Sequence, residues 1–199
     1  MTISSIKQQE RLKGRYSVYI DGKYAFSLSA DALLEAKLTV GQELDTAQLK
    51  AYEKLSVDDK AYTLALAYAV RRMRSRYELD DYFRRKGYDT ELSQYIMQKL
   101  EALGLVDDEK FAEAWVRNRR LLKLVSKRRL VAELRAKRVV DDIITRVLVE
   151  DETDEQAVLS ELIARRRKQS RYQDDKMLMQ YLVRQGFSYD AIKVVLHES

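Results

Sequence analysis

Two periodicities divide this chain. The runs Arg15-Tyr-Ser-Val-Tyr-Ile20 and Lys23-Tyr-Ala-Phe-Ser-Leu28 alternate as half-buried strands do, and Asp21-Gly22 lies between them. Asp-Gly at that place favours a type I′ hairpin, because both central residues of such a turn take positive φ. Strict alternation assigns Tyr16, Val18 and Ile20 to one face, with Tyr24, Phe26 and Leu28 on the same face of the partner strand. A lone hairpin is marginal in water, and residues 2–8 are a candidate third strand. Residues 29–37 predict a short helix, followed by a turn at Gly41.

From about residue 45 the apolar positions recur every three or four residues. Leu92, Ile96, Leu100 and Leu103 do so, as do Phe111 with Trp115, and Val158 and Leu159 with Leu162 and Ile163. This is the spacing of a buried helix face. Gly104 suits a left-handed helix end with Leu105 closing the hydrophobic contact, and Asp107 is placed to cap the next helix.

The helical part also repeats. Ser75-x-x-x-Leu79-x-x-x-Phe83-x-x-Lys86-Gly87-Tyr88 aligns with Ser126-x-x-x-Leu130-x-x-x-Leu134-x-x-Lys137-Arg138-Val139 at an offset of 51 residues. A third copy, Leu178-x-x-x-Leu182-x-x-x-Gly186-Phe187, follows the second by 48. Each copy opens on a capping residue (Ser75, Ser126, Asp174), and Ser75-x-x-Glu78 has the form of a capping box. A flanking helix on either side of each copy makes three units of three helices. The expected fold is mainly α: three tandem three-helix units in an elongated curved array, after a small N-terminal β-hairpin region. The expected divisions are 1–44 for the hairpin region with its short helix, then 45–106, 107–150 and 151–199 for the units.

Composition narrows the chemistry. The 199 residues are 46% hydrophobic and 35% charged, enough for a folded core, with no proline and no cysteine. Disulfides, thiolate metal sites and cysteine nucleophiles are thereby excluded. No apolar run approaches the roughly 18 residues that span a bilayer. Residues 1–15 are mostly polar, without the apolar core of a signal sequence, so a cytoplasmic protein is expected.

A catalytic site is not expected. The only histidine, His197, is third from the C-terminus, where a frayed tail is the ordinary setting, and no Ser/Asp partner or second metal ligand accompanies it. Asp107-Asp108 and Asp174-Asp175 read as helix caps answering the dipole rather than as a metal site. The six glycines never cluster into a phosphate-cradling loop, so no cofactor is expected.

The basic residues are the better candidates. Between Arg117 and Arg138 lie Arg117, Arg119, Arg120, Lys123, Lys127, Arg128, Arg129, Arg135, Lys137 and Arg138, against Glu133 alone. Arg165, Arg166, Arg167 and Lys168, with Arg171, form a second cluster, and Arg71, Arg72, Arg74 and Arg76 a third. Such density suits phosphates or an acidic protein surface. For any one of these residues the plainer reading is a solvated helix face, and Arg72 and Arg119 have the alternative of bridging to acids within their own unit. The recurrence of cations at corresponding junctions favours a binding surface. Tyr62, Tyr68, Tyr77, Tyr82, Tyr88 and Tyr95 raise the question of base stacking, but their helical spacing favours packing between helices, and Trp115 reads as core.

Several strings coincide, in order and spacing, with one family. Arg71-Arg-Met-Arg-Ser-Arg-Tyr-Glu-Leu79, Lys86-Gly-Tyr88, Gly104-Leu-Val-Asp-Asp108 and Phe111-Ala-x-x-Trp-Val116 resemble the RecX family. Ser126-x-x-x-Leu130-x-x-Glu-Leu-Arg-x-Lys137 and Gly186-Phe-Ser-Tyr-x-x-Ile192 complete the likeness, which runs from near Tyr16 to the C-terminus. The family pattern has glycine where this chain has Arg138. A non-glycine residue in a left-handed cap costs about 1 kcal/mol, so either mild strain or a different helix ending is implied.

The resemblance implies a monomeric, non-enzymatic regulator that binds the RecA filament on single-stranded DNA. It would inhibit the filament's recombinase, ATPase and coprotease activities and so modulate homologous recombination and the SOS response. Two alternatives stand beside it: a DNA-binding protein acting without RecA, and a helical scaffold for another protein.

Overall fold

The computed structural model describes residues 1–198. Three strands, β1 (Ile3–Gln8), β2 (Arg15–Ile20) and β3 (Lys23–Ser29), form an antiparallel sheet in that order. Asp21 (φ 47°) and Gly22 (φ 81°) both take left-handed backbone, as the I′ turn requires. The candidate third strand is present as β1.

The expected single apolar face is interrupted. A register shift between Val18 and Tyr19 sets Tyr19 opposite Tyr24. Val18, Ile20, Phe26 and Leu28 are buried, whereas Tyr24 is 59% exposed and meets Tyr19 edge-on. An irregularity in the pairing changes which side later residues fall on, and strict alternation cannot show where it occurs.

The remainder is helical, so the chain is mainly α with a small N-terminal sheet. The helices are α1 (Ala30–Glu35), α2 (Thr46–Val70), α3 (Arg76–Lys86), α4 (Thr90–Ala102), α5 (Asp108–Leu122), α6 (Lys127–Ala136), α7 (Asp141–Val149), α8 (Glu155–Arg167), α9 (Asp175–Arg184) and α10 (Tyr189–Glu198). With proline absent, side chains mark the helix starts. Asp89, Asp107, Ser126, Asp154 and Asp174 each accept a backbone N–H from the first turn of the helix they precede. His197 lies exposed in the last turn of α10 rather than in a frayed tail.

Contacts divide the chain into two compact units. One comprises Met1–Arg72 with Tyr82–Leu103. Here the sheet packs on α2 through a core of Ile3, Val18, Phe26 and Leu28, joined by Leu38 and Leu44. A buried ion pair, Arg15 to Asp59 at 2.9 Å, crosses that contact. Asp59 also accepts the N–H and hydroxyl of Ser29, so its charge is compensated on several sides. In the same unit Tyr68 stacks on Tyr82, with ring centroids 4.2 Å apart.

The other unit comprises Met73–Asp81 and the chain from Gly104 onward. It holds two apolar clusters. Phe111, Val116, Leu130, Leu134, Ile144 and Val147 join α5, α6 and α7. Leu159, Leu162, Leu178, Leu182, Phe187 and Ile192 join α8, α9 and α10.

Candidate partner-binding surface

The repeat that aligns Ser75 with Ser126 is also a repeat of joints. Ser126 accepts the N–H of Arg129 as an N-cap, and its hydroxyl donates to the carbonyl of Gln185, the C-cap of α9, at 3.0 Å. Ser75 accepts the N–H of Glu78, and its hydroxyl donates to the carbonyl of Lys137, the C-cap of α6, at 3.0 Å. Both serines are buried. Beside each, the next backbone N–H reaches an acid in the first turn of a later helix: Arg76 to Asp108 at 2.8 Å, and Lys127 to Glu155 at 2.9 Å. Burial pushes the Asp108 carboxyl above its ordinary value, which the Arg76 N–H only partly offsets.

The second half of the Ser75 motif is put to a further use. Glu78 pairs with Lys137 at 2.6 Å. Each of these two serines therefore holds its own helix and the end of the next copy's middle helix at once.

Between Arg117 and Arg138 three of the arginines, Arg119, Arg120 and Arg129, turn to partners within the fold. Glu133 on α6 accepts from Arg119 Nε at 2.6 Å, from Trp115 Nε1 at 2.9 Å and from Arg129 Nε at 3.3 Å. The Arg119 guanidinium lies 4.5 Å from the Trp115 ring centre, and Lys137 approaches the same ring. Arg129 also donates to the carbonyl of Arg184. Arg120 donates to Asp151 at 2.6 Å and to the carbonyl of Val125 at 2.6 Å, with its side chain only 11% exposed. Lys127 Nζ reaches the carbonyl of Asp151.

Burial would push the carboxyls of Glu133 and Asp151 up. Hydrogen bonds and attraction from Arg119 and Trp115 in one case, and from Arg120 and Thr153 in the other, outweigh it and hold both below the ordinary carboxylate range.

The cluster from Arg165 to Lys168 behaves similarly. Arg166 donates to the Tyr181 hydroxyl at 2.7 Å and lies over the Tyr172 and Tyr181 rings. Arg167 reaches the carbonyls of Tyr172 and Gln173 and the carboxylate of Asp175. Arg165 forms an exposed pair with Glu161 one turn away. In the cluster from Arg71 to Arg76, Arg74 is buried, its backbone bridged to Val106, while Arg71 and Arg72 are exposed. Of the sequence candidates, Arg71, Arg72, Arg117, Lys123, Arg128, Arg165 and Lys168 present their side chains to solvent.

Sequence reading had no means of finding Arg15 and Asp59, which stand 44 positions apart (59 − 15) and meet only through tertiary packing. The tyrosines divide. Tyr68, Tyr82 and Tyr88 pack on one another and on Phe83, Tyr62 and Tyr95 flank the Lys99 ammonium, and Tyr77 lies under Arg138.

Comparison with known proteins places this arrangement. Residues 1–45 match the regulatory protein RecX N-terminal domain, residues 61–100 the first three-helix domain of RecX, and residues 107–148 its second three-helix domain. The regulatory protein RecX of Bacillus licheniformis is 31% identical over 99% of this chain and 77% of its own length. That of Lactobacillus johnsonii is 35% identical over 77% of this chain, a match spanning only 56% of the relative. A crystal structure of regulatory protein RecX superposes with a TM-score of 0.75 at 28% identity, covering 98% of both chains. That of RecX from Lactobacillus salivarius gives 0.59 at 26% identity, over 71% of this chain and 95% of the other. With tandem three-helix elements, the N-terminal sheet and near full-length relatives in agreement, the chain belongs to the regulatory protein RecX family.

Proposed function

We propose that the protein binds the RecA filament on single-stranded DNA and restrains it, slowing ATP hydrolysis, strand exchange and coprotease action. It would thereby modulate recombination and the SOS response as a cytoplasmic monomer without catalysis of its own. The observation that carries this reading is the near full-length relationship to regulatory RecX proteins. Solvent-facing cations at helix junctions support it: Arg71, Arg117, Lys123, Arg128 and Lys168 are of the type that phosphates and acidic protein surfaces attract. Segments 45–106, 107–150 and 151–199 would serve as three successive binding modules. Contacts from successive modules to neighbouring filament subunits would oppose the motions that accompany nucleotide turnover.

The test is ATP hydrolysis by RecA on single-stranded DNA with the protein added in stoichiometric amount. Hydrolysis should fall; an unchanged rate overturns the proposal. Binding to naked DNA, to RecA alone and to the assembled filament distinguishes the alternatives, since a plain DNA binder would hold naked DNA as tightly as the filament. Reversing Arg128 and Lys168 to glutamate should weaken filament binding and lower its salt dependence while leaving helicity intact. Reversing Arg119, Arg120 and Arg129 instead would dismantle the fold, because those side chains hold Glu133 and Asp151.

A further inference from the structure

The end of α5 inverts the usual distribution of side chains. Phe111, Ala112 and Val116 line the buried face of this helix, and its next turn brings Arg119 and Arg120 to that side. Both arginines are turned inward, to Glu133 and Asp151. The two residues that follow, Leu121 and Leu122, are 76% and 77% exposed. Two charged side chains are thus held within the fold while two adjacent leucines stand in water, the reverse of what burial favours. Among the described residues no other adjacent pair of leucines is so exposed.

The surroundings of the pair are basic. Arg117 precedes Leu121 by four residues and so shares its side of the helix, and Lys123 follows Leu122 directly. Both are exposed, and neither forms an ion pair with a described residue. The pair also sits at the C-terminal end of the helix, where outward-facing carbonyls carry the negative end of the dipole. That end disfavours a phosphate, and a phosphate gives an exposed leucine nothing to bury against. A second copy of the chain is also a poor occupant, since a symmetric contact would bring Arg117 and Lys123 of both copies together.

We infer that Leu121 and Leu122, bordered by Arg117 and Lys123, form a protein-docking knob that enters an apolar hollow ringed by carboxylates on the partner. This rests on the reading that the partner is the RecA filament, and it assigns this junction to the protein component rather than to DNA. Adjacent apolar anchors inside a charged rim are the arrangement in which a few residues carry most of the binding energy.

The experiment compares the wild-type protein with a Leu121→Ser/Leu122→Ser variant on the RecA–DNA filament and on naked single-stranded DNA. The filament affinity of the variant should fall about tenfold or more, a typical loss for two anchor residues. Its affinity for naked DNA and its thermal midpoint should be unchanged, because neither leucine is part of the core. A Leu121→Met/Leu122→Met variant should bind as wild type. Equal filament binding by wild type and the serine variant overturns the knob. So does an equal loss on naked DNA, which would make the pair a DNA contact, or a wild-type dimer that the serine variant abolishes. Wild type that fails to bind the filament at all removes the partner and overturns both readings.

Discussion

At the scale of single residues, the left-handed helix ends show how far one backbone position is constrained. Three middle helices end alike: Tyr88 N–H returns to Phe83, Val139 N–H to Leu134 and Phe187 N–H to Leu182. Gly87 and Gly186 occupy the left-handed position in two of them, and Arg138, at φ 58°, occupies it in the other. The departure at Arg138 therefore leaves the helix ending unchanged and is accommodated as local strain, partly offset by its guanidinium over the Tyr77 ring. Gly186 has no such latitude, because an added Cβ would lie 2.3 Å from Ser126 Oγ, whereas nothing lies within 4 Å at Gly87. Gly186→Ala should cost about 2–4 kcal/mol and Gly87→Ala about 1–2 kcal/mol, since only the first adds a steric clash to backbone strain. Urea denaturation measures both, and equal losses would show that the Ser126 joint yields without cost.

At the scale of elements, cations that look equivalent along the chain do different work. Arg117 and Arg120 lie three residues apart on α5, one in solvent and one enclosed against Asp151 and the Val125 carbonyl. Truncating Arg120 leaves a mostly buried carboxylate uncompensated, which typically costs about 3–5 kcal/mol. Arg117→Ala, by contrast, should change stability by less than about 0.5 kcal/mol. Chemical denaturation of the two variants distinguishes these roles, and similar small losses would mean that Asp151 finds water when Arg120 is removed. The same distinction explains why density of charge along the chain does not separate a solvent-facing cation from one enclosed in the fold. Arg119, Arg120, Arg129, Arg166 and Arg167 brace helices, so the surface cations are the ones left between them.

At the scale of the whole molecule, these braces set a response to acid. Glu133 and Asp151 ionise more readily folded than unfolded, so the stability they contribute is fully present above their unfolded values, near pH 4. It is lost as the pH falls through their lower folded values. Asp108, pushed up by burial, acts in the opposite sense. Thermal midpoints between pH 7 and pH 3 should fall in the acid part of that range, and Glu133→Gln should show a shallower fall from a lower starting point. A variant with the wild-type acid slope would remove Glu133 from this role. The formal charge of +5 is modest for the whole chain, and once the bracing arginines are set aside the attraction to a partner rests on a smaller number of exposed groups.

The sequence by itself determined what depends on neighbours along the chain. The I′ turn at Asp21-Gly22, the helix caps at Asp107, Ser126 and Asp174, the helical period and the repeat of middle helices all follow from local backbone sterics and periodic burial. The family could be read for the same reason, because its signature consists of those local strings. Tertiary structure alone decided the side on which Tyr24 falls, the meeting of Arg15 with Asp59, and the second bond of each cap serine. It also decided which arginines face water and left Leu121 and Leu122 outside while Arg119 and Arg120 turned in. A charged side chain is solvated or enclosed according to which carboxylate packing brings within reach, and distance along the chain carries no information about that partner.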